Sequence, residues 1–326
     1  MNASGDEFAL IRRLCAGLRH SRRVLVGPGD DCALVDVAGA KQLVTIDSLV
    51  EGVHFELEWF TPAELGARAL AVNLSDIAAM GGQPTACVIA LALRENLPPR
   101  FAEELYVGIR RAAKRAQIDI VGGNITSASE LSVTVAMFGL APNGVLLRSA
   151  GRQGYDIFVT GTLGDAALGW RILAGQVLAE GSARDFLVNR YLSPSPRIEA
   201  GRKLSKLEPS AAAIDLSDGL AGDLKHILRA SRVGAEIDAA LIPLSPAYRA
   251  VAGSDLKYAL TGGDDYELLF CLPPHYSAAS LSRRLGVAVT RIGRLIGKSS
   301  KLVIKNLPSG LSAEALRGWD HLRRES

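Results

Sequence analysis

The chain has 326 residues, 48% hydrophobic and 22% charged, and its 37 Lys and Arg against 34 Asp and Glu leave a net charge of +3. This balance excludes a disordered chain and gives no support to nucleic-acid binding, while the length accommodates two domains of ordinary size. Four cysteines without a CxxC spacing do not make a secreted disulfide scaffold, and the longest apolar run, ACVIALAL at 86–93, is far short of a membrane span.

The start, MNASGDEFALIRRL, carries acidic residues and lacks the apolar core of a secretory signal, so a cytoplasmic location is expected. Residues 6–19 have the spacing of an amphipathic helix, whose basic neighbours read as a solvated face. KQLVTIDSLV at 41–50 contains a β-rich run. Thr61-Pro62-Ala63-Glu64 combines a capping box with proline at the first helical position, predicting a helix that runs to Gly81-Gly82. The apolar run 86–93 predicts a buried strand, Pro98-Pro99 a helix to about Ala116, IDIVGG at 118–123 a strand entering a glycine turn, and 131–140 a further strand. Glycines and a proline cluster at 142–154, where a domain boundary is expected. Beyond it the alternation repeats: strand DIFVTG, helices near 165–174 and 183–191, an SPSPR loop, a helix to Leu207, and strand AAAID. Ser217 or Asp218 is the expected cap of a helix over 219–232, and YELLFCLPP and VAVTRIG supply later strands. Such alternation is that of an α/β or α+β protein.

The carboxylates occupy unusual places. Asp30-Asp31 follows Gly-Pro-Gly, Asp47 ends a strand, Asp76 lies on a helix near glycines, Asp215 and Asp218 bracket a strand end, and Asp264-Asp265 follows Gly262-Gly263. Any one pair reads as ordinary turn chemistry, but packed carboxylates repel unless cations neutralise them. Oxygen donors of this kind suit Mg2+ held together with phosphates, whereas the histidines show no zinc spacing. Glycine turns offer backbone N–H groups to phosphate oxygens, so a magnesium–nucleotide site is expected. The familiar nucleotide motifs do not supply it. Gly293-Arg-Leu-Ile-Gly297-Lys298-Ser299 has three residues between its glycines where a P-loop needs four, and there is no GxGxxG.

In chain order, GPGDDCALV, TIDSLVEGVHF, ALAVNLSDIAAMGG, VGGN, LLRSAG, YLSPSPR, IDLSDGL, TGGDDYELLF and GWDH resemble the motifs of the thiamine-monophosphate kinase family, within the aminoimidazole ribonucleotide synthetase superfamily. LSDGL is shared across the superfamily, whereas VEGVHF, TGGDDYELL and GWDH point to the kinases. The resemblance implies an α/β (α+β) two-domain fold. An N-terminal domain, 1–148, would pair strands across a homodimer, and a C-terminal α/β domain, 149–326, would enclose ATP against it. The implied reaction is transfer of the γ-phosphoryl group of ATP to thiamine monophosphate, with no nucleic-acid or membrane partner.

Carried over by position, Asp30, Thr45, Asp47, Asp76, Asp215 and Asp218 correspond to ligands of several Mg2+ ions. Asn124 joins them and also the nucleotide contacts Tyr106, Gly123, Arg148 and Ser217. His54, Asp264 and Trp319 correspond to contacts with the thiamine phosphate. No general base is implied. Two departures stand out: Asn124 replaces an aspartate common in the family, and Ile46 replaces a hydroxyl residue. The alternatives are a sibling enzyme with another acceptor and a nucleotide-binding regulator that has lost catalysis.

Overall fold

A computed structural model describes residues 7–297, 299, 301–308, 311 and 316. After helix α1 (Glu7–Cys15), the first half carries β1 (Val24–Val26), β2 (Ala33–Val37), β3 (Ala40–Val50), α2 (Pro62–Ala79), β4 (Gln83–Leu93), α3 (Phe101–Ala116), β5 (Asp119–Ser127) and β6 (Ser132–Leu140). The strands form one sheet in the order β1-β2-β3-β6-β4-β5, parallel only between β4 and β5.

Alternation decides which face is covered. On β3, Leu43, Thr45 and Leu49 are buried while Ile46 between them is 64% exposed; on β6, Val133, Val135 and Met137 are fully buried. Helix α2 lies across this buried face. It starts as expected: Thr61 Oγ1 accepts from the Glu64 N–H at 3.3 Å, and Glu64 Oε2 accepts from the Thr61 N–H at 2.9 Å. Helix α3 crosses α2 with the backbones nearly touching. A Cβ on Gly66 would meet Leu105 O at 2.2 Å, and one on Gly108 would meet Ala63 O at 1.7 Å.

The second half contains β7 (Asp156–Thr160), α4 (Asp165–Leu173), α5 (Gly181–Leu192), α6 (Ile198–Leu207), β8 (Ala212–Asp215), α7 (Leu220–Ser231) and β9 (Gly234–Asp238). It continues with α8 (Pro246–Ala252), α9 (Lys257–Thr261), β10 (Leu268–Leu272), α10 (Ala278–Leu285), β11 (Val289–Ile296) and β12 (Leu302–Lys305). Its sheet runs β12-β9-β11-β7-β10-β8. Strands β7 and β10 are buried on both faces: Ile157, Val159 and Leu269 enter one apolar cluster, and Phe158, Phe270 and Leu272 another.

The halves interlock through α2. Ala79 at its end packs into the cluster around Phe158 and Leu204, and α6 approaches so closely that a Cβ on Gly201 would meet Ala78 O at 2.0 Å. In return, Ala166 and Tyr191 enter the first half's core.

Two expectations require correction. The glycines of IDIVGG do not turn the chain, because β5 continues through them to Ser127; Gly123 is needed for space, since a Cβ there would meet Ile89 O at 2.0 Å. Neither Ser217 nor Asp218 caps α7. Gly219, at φ 104, holds the cap position, and Asp223 from the first turn instead accepts from the N–H groups of Asp218 at 3.1 Å and Gly219 at 3.0 Å. None of the helices among the described residues is long and apolar enough to cross a membrane.

Candidate active site

The site forms where β3, α2 and the end of β8 meet. The covered face of β3 turns Thr45 and Asp47 toward α2, where Thr45 Oγ1 donates to Asp76 Oδ2 at 2.5 Å. One turn earlier on α2, Asn73 Oδ1 accepts from the Asp47 N–H at 3.1 Å, while Asn73 Nδ2 donates to Ala69 O at 3.1 Å. From the second half, β8 delivers Asp215, whose Oδ2 accepts from Ser75 Oγ at 2.7 Å. The loop after β1 brings the last pair. Asp30 accepts from the Arg148 N–H at 3.2 Å, and Asp31 forms an ion pair with the Arg148 guanidinium. Carboxylate oxygens of Asp31, Asp76 and Asp215 lie within 4.8 Å of one another.

So many carboxylates in one place are disfavoured as anions. Burial, reinforced by the charge of Asp31, pushes Asp30 up to about 7 and Asp215 up to about 8. Burial alone raises Asp47 to about 6; Asp76 is raised well above the usual range by burial and then by Asp47, Asp215 and Asp31. For Arg148, burial works against the charge, but Asp31 and Asp30 outweigh it and hold the guanidinium protonated.

The donor set fits a hard divalent cation. It consists of oxygens only, and Asp31 Oδ2 is buried without a hydrogen-bond partner among the described residues. A cation bound here would supply the charge compensation that Arg148 alone gives incompletely.

Asp218 lies in a neighbouring group with Asp223 and His226, ligand atoms again within 4.8 Å. Burial, then the charges of Glu7 and Asp264, raise Asp218 to about 7. Burial, with Arg148 and Arg229 nearby, lowers His226 to about 4 and keeps it neutral. Ser217 contributes its carbonyl, which accepts from the Asp264 N–H at 2.8 Å.

His54 and Asp264 are linked through Tyr191, which opens the YLSPSPR motif but was given no role, and Arg68, which sequence reasoning passed over. The Tyr191 hydroxyl donates to His54 O at 3.0 Å, Arg68 donates to Tyr191 O, and Arg68 Nη2 donates to Asp264 Oδ1 at 2.7 Å. A signal for Arg68 was available, because it is the only Lys or Arg between residues 62 and 93 and sits in an apolar helix that must pair it. Asp31 and Asp223 were also missed as site members. Asp31 belongs to the same Gly-Pro-Gly-Asp-Asp stretch as Asp30, and nothing local marks Asp223 apart from its place in a first helical turn.

Three expected residues lie elsewhere. Tyr106 is half-buried on α3 against the first core. Gly123 and Asn124 are on β5, at the sheet edge, with β6 and β4 between them and β3. Asn124 shares its ladder row and face with Ala90, Thr134 and Ser48, opposite the face of Asp47. A single chain therefore does not bring Asn124 to the carboxylate cluster. Trp319 lies outside the described residues.

Comparisons with known proteins agree with this architecture. The models for AIR synthase related protein, N-terminal domain, and AIR synthase related protein, C-terminal domain, match residues 29–141 and 152–305. The thiamine-monophosphate kinase of Escherichia coli O157:H7 is 42% identical over 297 residues, covering 89% of this chain and 90% of its own. That of Bacillus subtilis strain 168 is 33% identical over 326 residues, covering 98% and 100%. Among solved structures, AaThiL complexed with AMPPCP and TMP superposes with a TM-score of 0.82 at 32% identity, covering 97% of each chain. The chain belongs to the thiamine-monophosphate kinase family of AIR synthase related proteins.

Proposed function

We propose that the chain transfers the γ-phosphoryl group of ATP to thiamine monophosphate, giving thiamine diphosphate and ADP, by Mg2+-dependent direct in-line displacement. One observation carries this reading: carboxylate oxygens of Asp31 and Asp76 from the first half and Asp215 from the second lie within 4.8 Å of one another, with Thr45 bonded to Asp76, Asp47 opposing the Asp76 charge and Arg148 paired with Asp31. The kinase relatives and the AaThiL complex support the choice of nucleotide and acceptor.

The acceptor is a phosphate monoester whose second pKa is ~6, so it is already mostly dianionic near neutrality and needs no general base. The obstacle is repulsion between two polyanions, which positioning and charge compensation overcome. In this reading Asp30, Thr45, Asp47, Asp76, Asp215 and Asp218 would hold the magnesium ions with Asp31 as an addition, and Asn124, which one chain keeps away from them, would act as a neutral oxygen donor from a second copy across the β5 edge. When bound, Mg2+ supplies positive charge to the phosphate oxygens. Arg148, fixed by Asp31 and Asp30, supplies a second, permanent positive charge. Tyr106, Gly123, Asn124, Arg148 and Ser217 serve the nucleotide, and His54, Asp264 and Trp319 the thiamine phosphate.

The division into domains 1–148 and 149–326, a homodimer and a cytoplasmic location belong to the same proposal. The dimer is supported by β5, whose outer edge is unpaired among the described residues and exposes Val121 at 63% and Ile125 at 64%.

The test is incubation of the purified protein with ATP, Mg2+ and thiamine monophosphate. Thiamine diphosphate and ADP in equal amounts are expected. Binding of ATP without either product would favour a nucleotide-binding regulator.

A further inference from the structure

Arg68 is a side chain for which the phosphoryl-transfer chemistry has no use. It projects from the middle of α2, is 1% exposed, and reaches out of the first half into the second. There Nη2 donates to Asp264 Oδ1 at 2.7 Å and Nη1 donates to Tyr191 O, while the guanidinium carbon stands 4.5 Å from the Tyr191 ring centroid. The Tyr191 hydroxyl in turn donates to His54 O at 3.0 Å. One guanidinium therefore reaches both residues assigned to the thiamine phosphate, Asp264 directly and His54 through Tyr191.

The Asp264 side of this link is held under strain. Asp264 has φ 70 and Tyr266 φ 50, both in the left-handed region that side chains disfavour. Tyr266 Oη donates to the same Oδ1 at 3.0 Å, so both donors take one oxygen of the carboxylate. The Asp264 side chain remains 32% exposed. A carboxylate anchored through one oxygen and open at the other is suited to receive a cationic or N–H-bearing ring such as the aminopyrimidine or thiazolium of thiamine.

Stability alone is a poor reason for this arrangement. A buried ion pair contributes little net stability, and Arg68 Nε is buried without a hydrogen-bond partner among the described residues. We propose that Arg68 is a positioning residue that fixes Asp264, and through Tyr191 the His54 segment, for recognition of the thiamine half of the acceptor. This rests on the thiamine-monophosphate reading given above. Arg68 does not itself touch the reacting atoms.

The test is steady-state kinetics of the full chain with each substrate varied in turn, alongside thermal midpoints with and without Mg2+ and AMPPCP to verify folding and the nucleotide site. Arg68→Met is expected to raise KM for thiamine monophosphate about tenfold or more while KM for ATP stays within about twofold, the loss expected of a hydrogen bond to a charged group. Arg68→Lys, which keeps the charge but not the fork, should recover part of that loss. Equal rises in both KM values, or an unchanged KM for thiamine monophosphate in a folded Arg68→Met protein, would overturn the proposal. If Arg68→Met does not fold, Tyr266→Phe removes the second donor to the same oxygen without stranding a charge; a rise confined to thiamine monophosphate supports the proposal, and no rise overturns it. Wild-type protein that binds AMPPCP yet neither binds nor converts thiamine monophosphate would defeat the functional reading, and the positioning role with it. An active wild type with unselective variants defeats the positioning role alone.

Discussion

Ser75 Oγ on α2 donates to Asp215 Oδ2 at the end of β8 across 2.7 Å, and both side chains are buried. The serine belongs to the Leu-Ser-Asp of the first half, and the aspartate immediately precedes the Leu-Ser-Asp of the second. This bond ties the two halves at the point where the carboxylates meet. Ser75→Ala is expected to leave Asp215 buried with one donor fewer, at a cost of about 1–3 kcal/mol. Thermal unfolding without Mg2+ measures it, and an unchanged midpoint would remove the bond from any structural role.

The raised carboxylates set the sign of the pH dependence. Asp47 is pushed up to about 6, Asp30 and Asp218 to about 7, and Asp215 to about 8, with burial the largest cause in each case. In the unfolded chain these groups titrate near ~3.9. The folded state therefore binds more protons between these limits, and their contribution to stability is complete below the unfolded value and lost as pH rises through 6 to 8. Metal-free protein should unfold at a lower temperature at pH 8 than at pH 6. Mg2+ should raise the midpoint more at pH 8, because it binds the ionised carboxylates of the folded state. A midpoint that rises with pH in the absence of metal, or a Mg2+ effect independent of pH, would contradict this electrostatic account.

The same repulsion separates stability from activity at Asp76. Its anion is opposed by burial and by Asp47, Asp215 and Asp31. Asp76→Asn should stabilise the metal-free protein at pH 8. Asp76→Ala and Asp218→Ala should each lower kcat by roughly a thousandfold or more, the loss of several kcal/mol of charge compensation. Full activity in the Asp76 variant would refute metal binding at the Asp31, Asp76 and Asp215 group, and full activity in the Asp218 variant would refute a metal role for the neighbouring group.

Local signals in the sequence were strong where the physics is local. The Thr61 capping box and Pro62 located the start of α2, and the strand expected at 131–140 is β6. The turn expected at Gly122-Gly123 failed because the reason for Gly123 is non-local: Ile89 O on the adjacent strand leaves no room for a Cβ. The cap expected from Ser217 or Asp218 failed similarly, since Asp223 takes both N–H groups from within the helix. Within the site, carboxylates on glycine turns pointed to a cluster of acidic side chains, which the fold assembles from both halves, but pairing is a tertiary property. That Asp31 meets Arg148 and that Arg68 meets Asp264 depends on contacts spanning 117 and 196 residues.

Asn124 offers the remaining test, because its place and its expected role pull apart. Within one chain its side chain is exposed on the edge strand β5, on the face opposite Asp47, and in the proposed dimer that edge lies at the contact between copies, so activity rather than stability is the readout that decides its role. If Asn124 serves as a neutral magnesium ligand, Asn124→Asp adds an anionic donor, and activity at limiting Mg2+ should be kept or raised, with the Mg2+ concentration for half-maximal rate lowered. If it serves only the nucleotide, the added negative charge repels the phosphates and KM for ATP should rise at every Mg2+ concentration. Titration of rate against Mg2+ at saturating thiamine monophosphate separates the two. A large loss of activity that excess Mg2+ does not restore would count against a ligand role at this position.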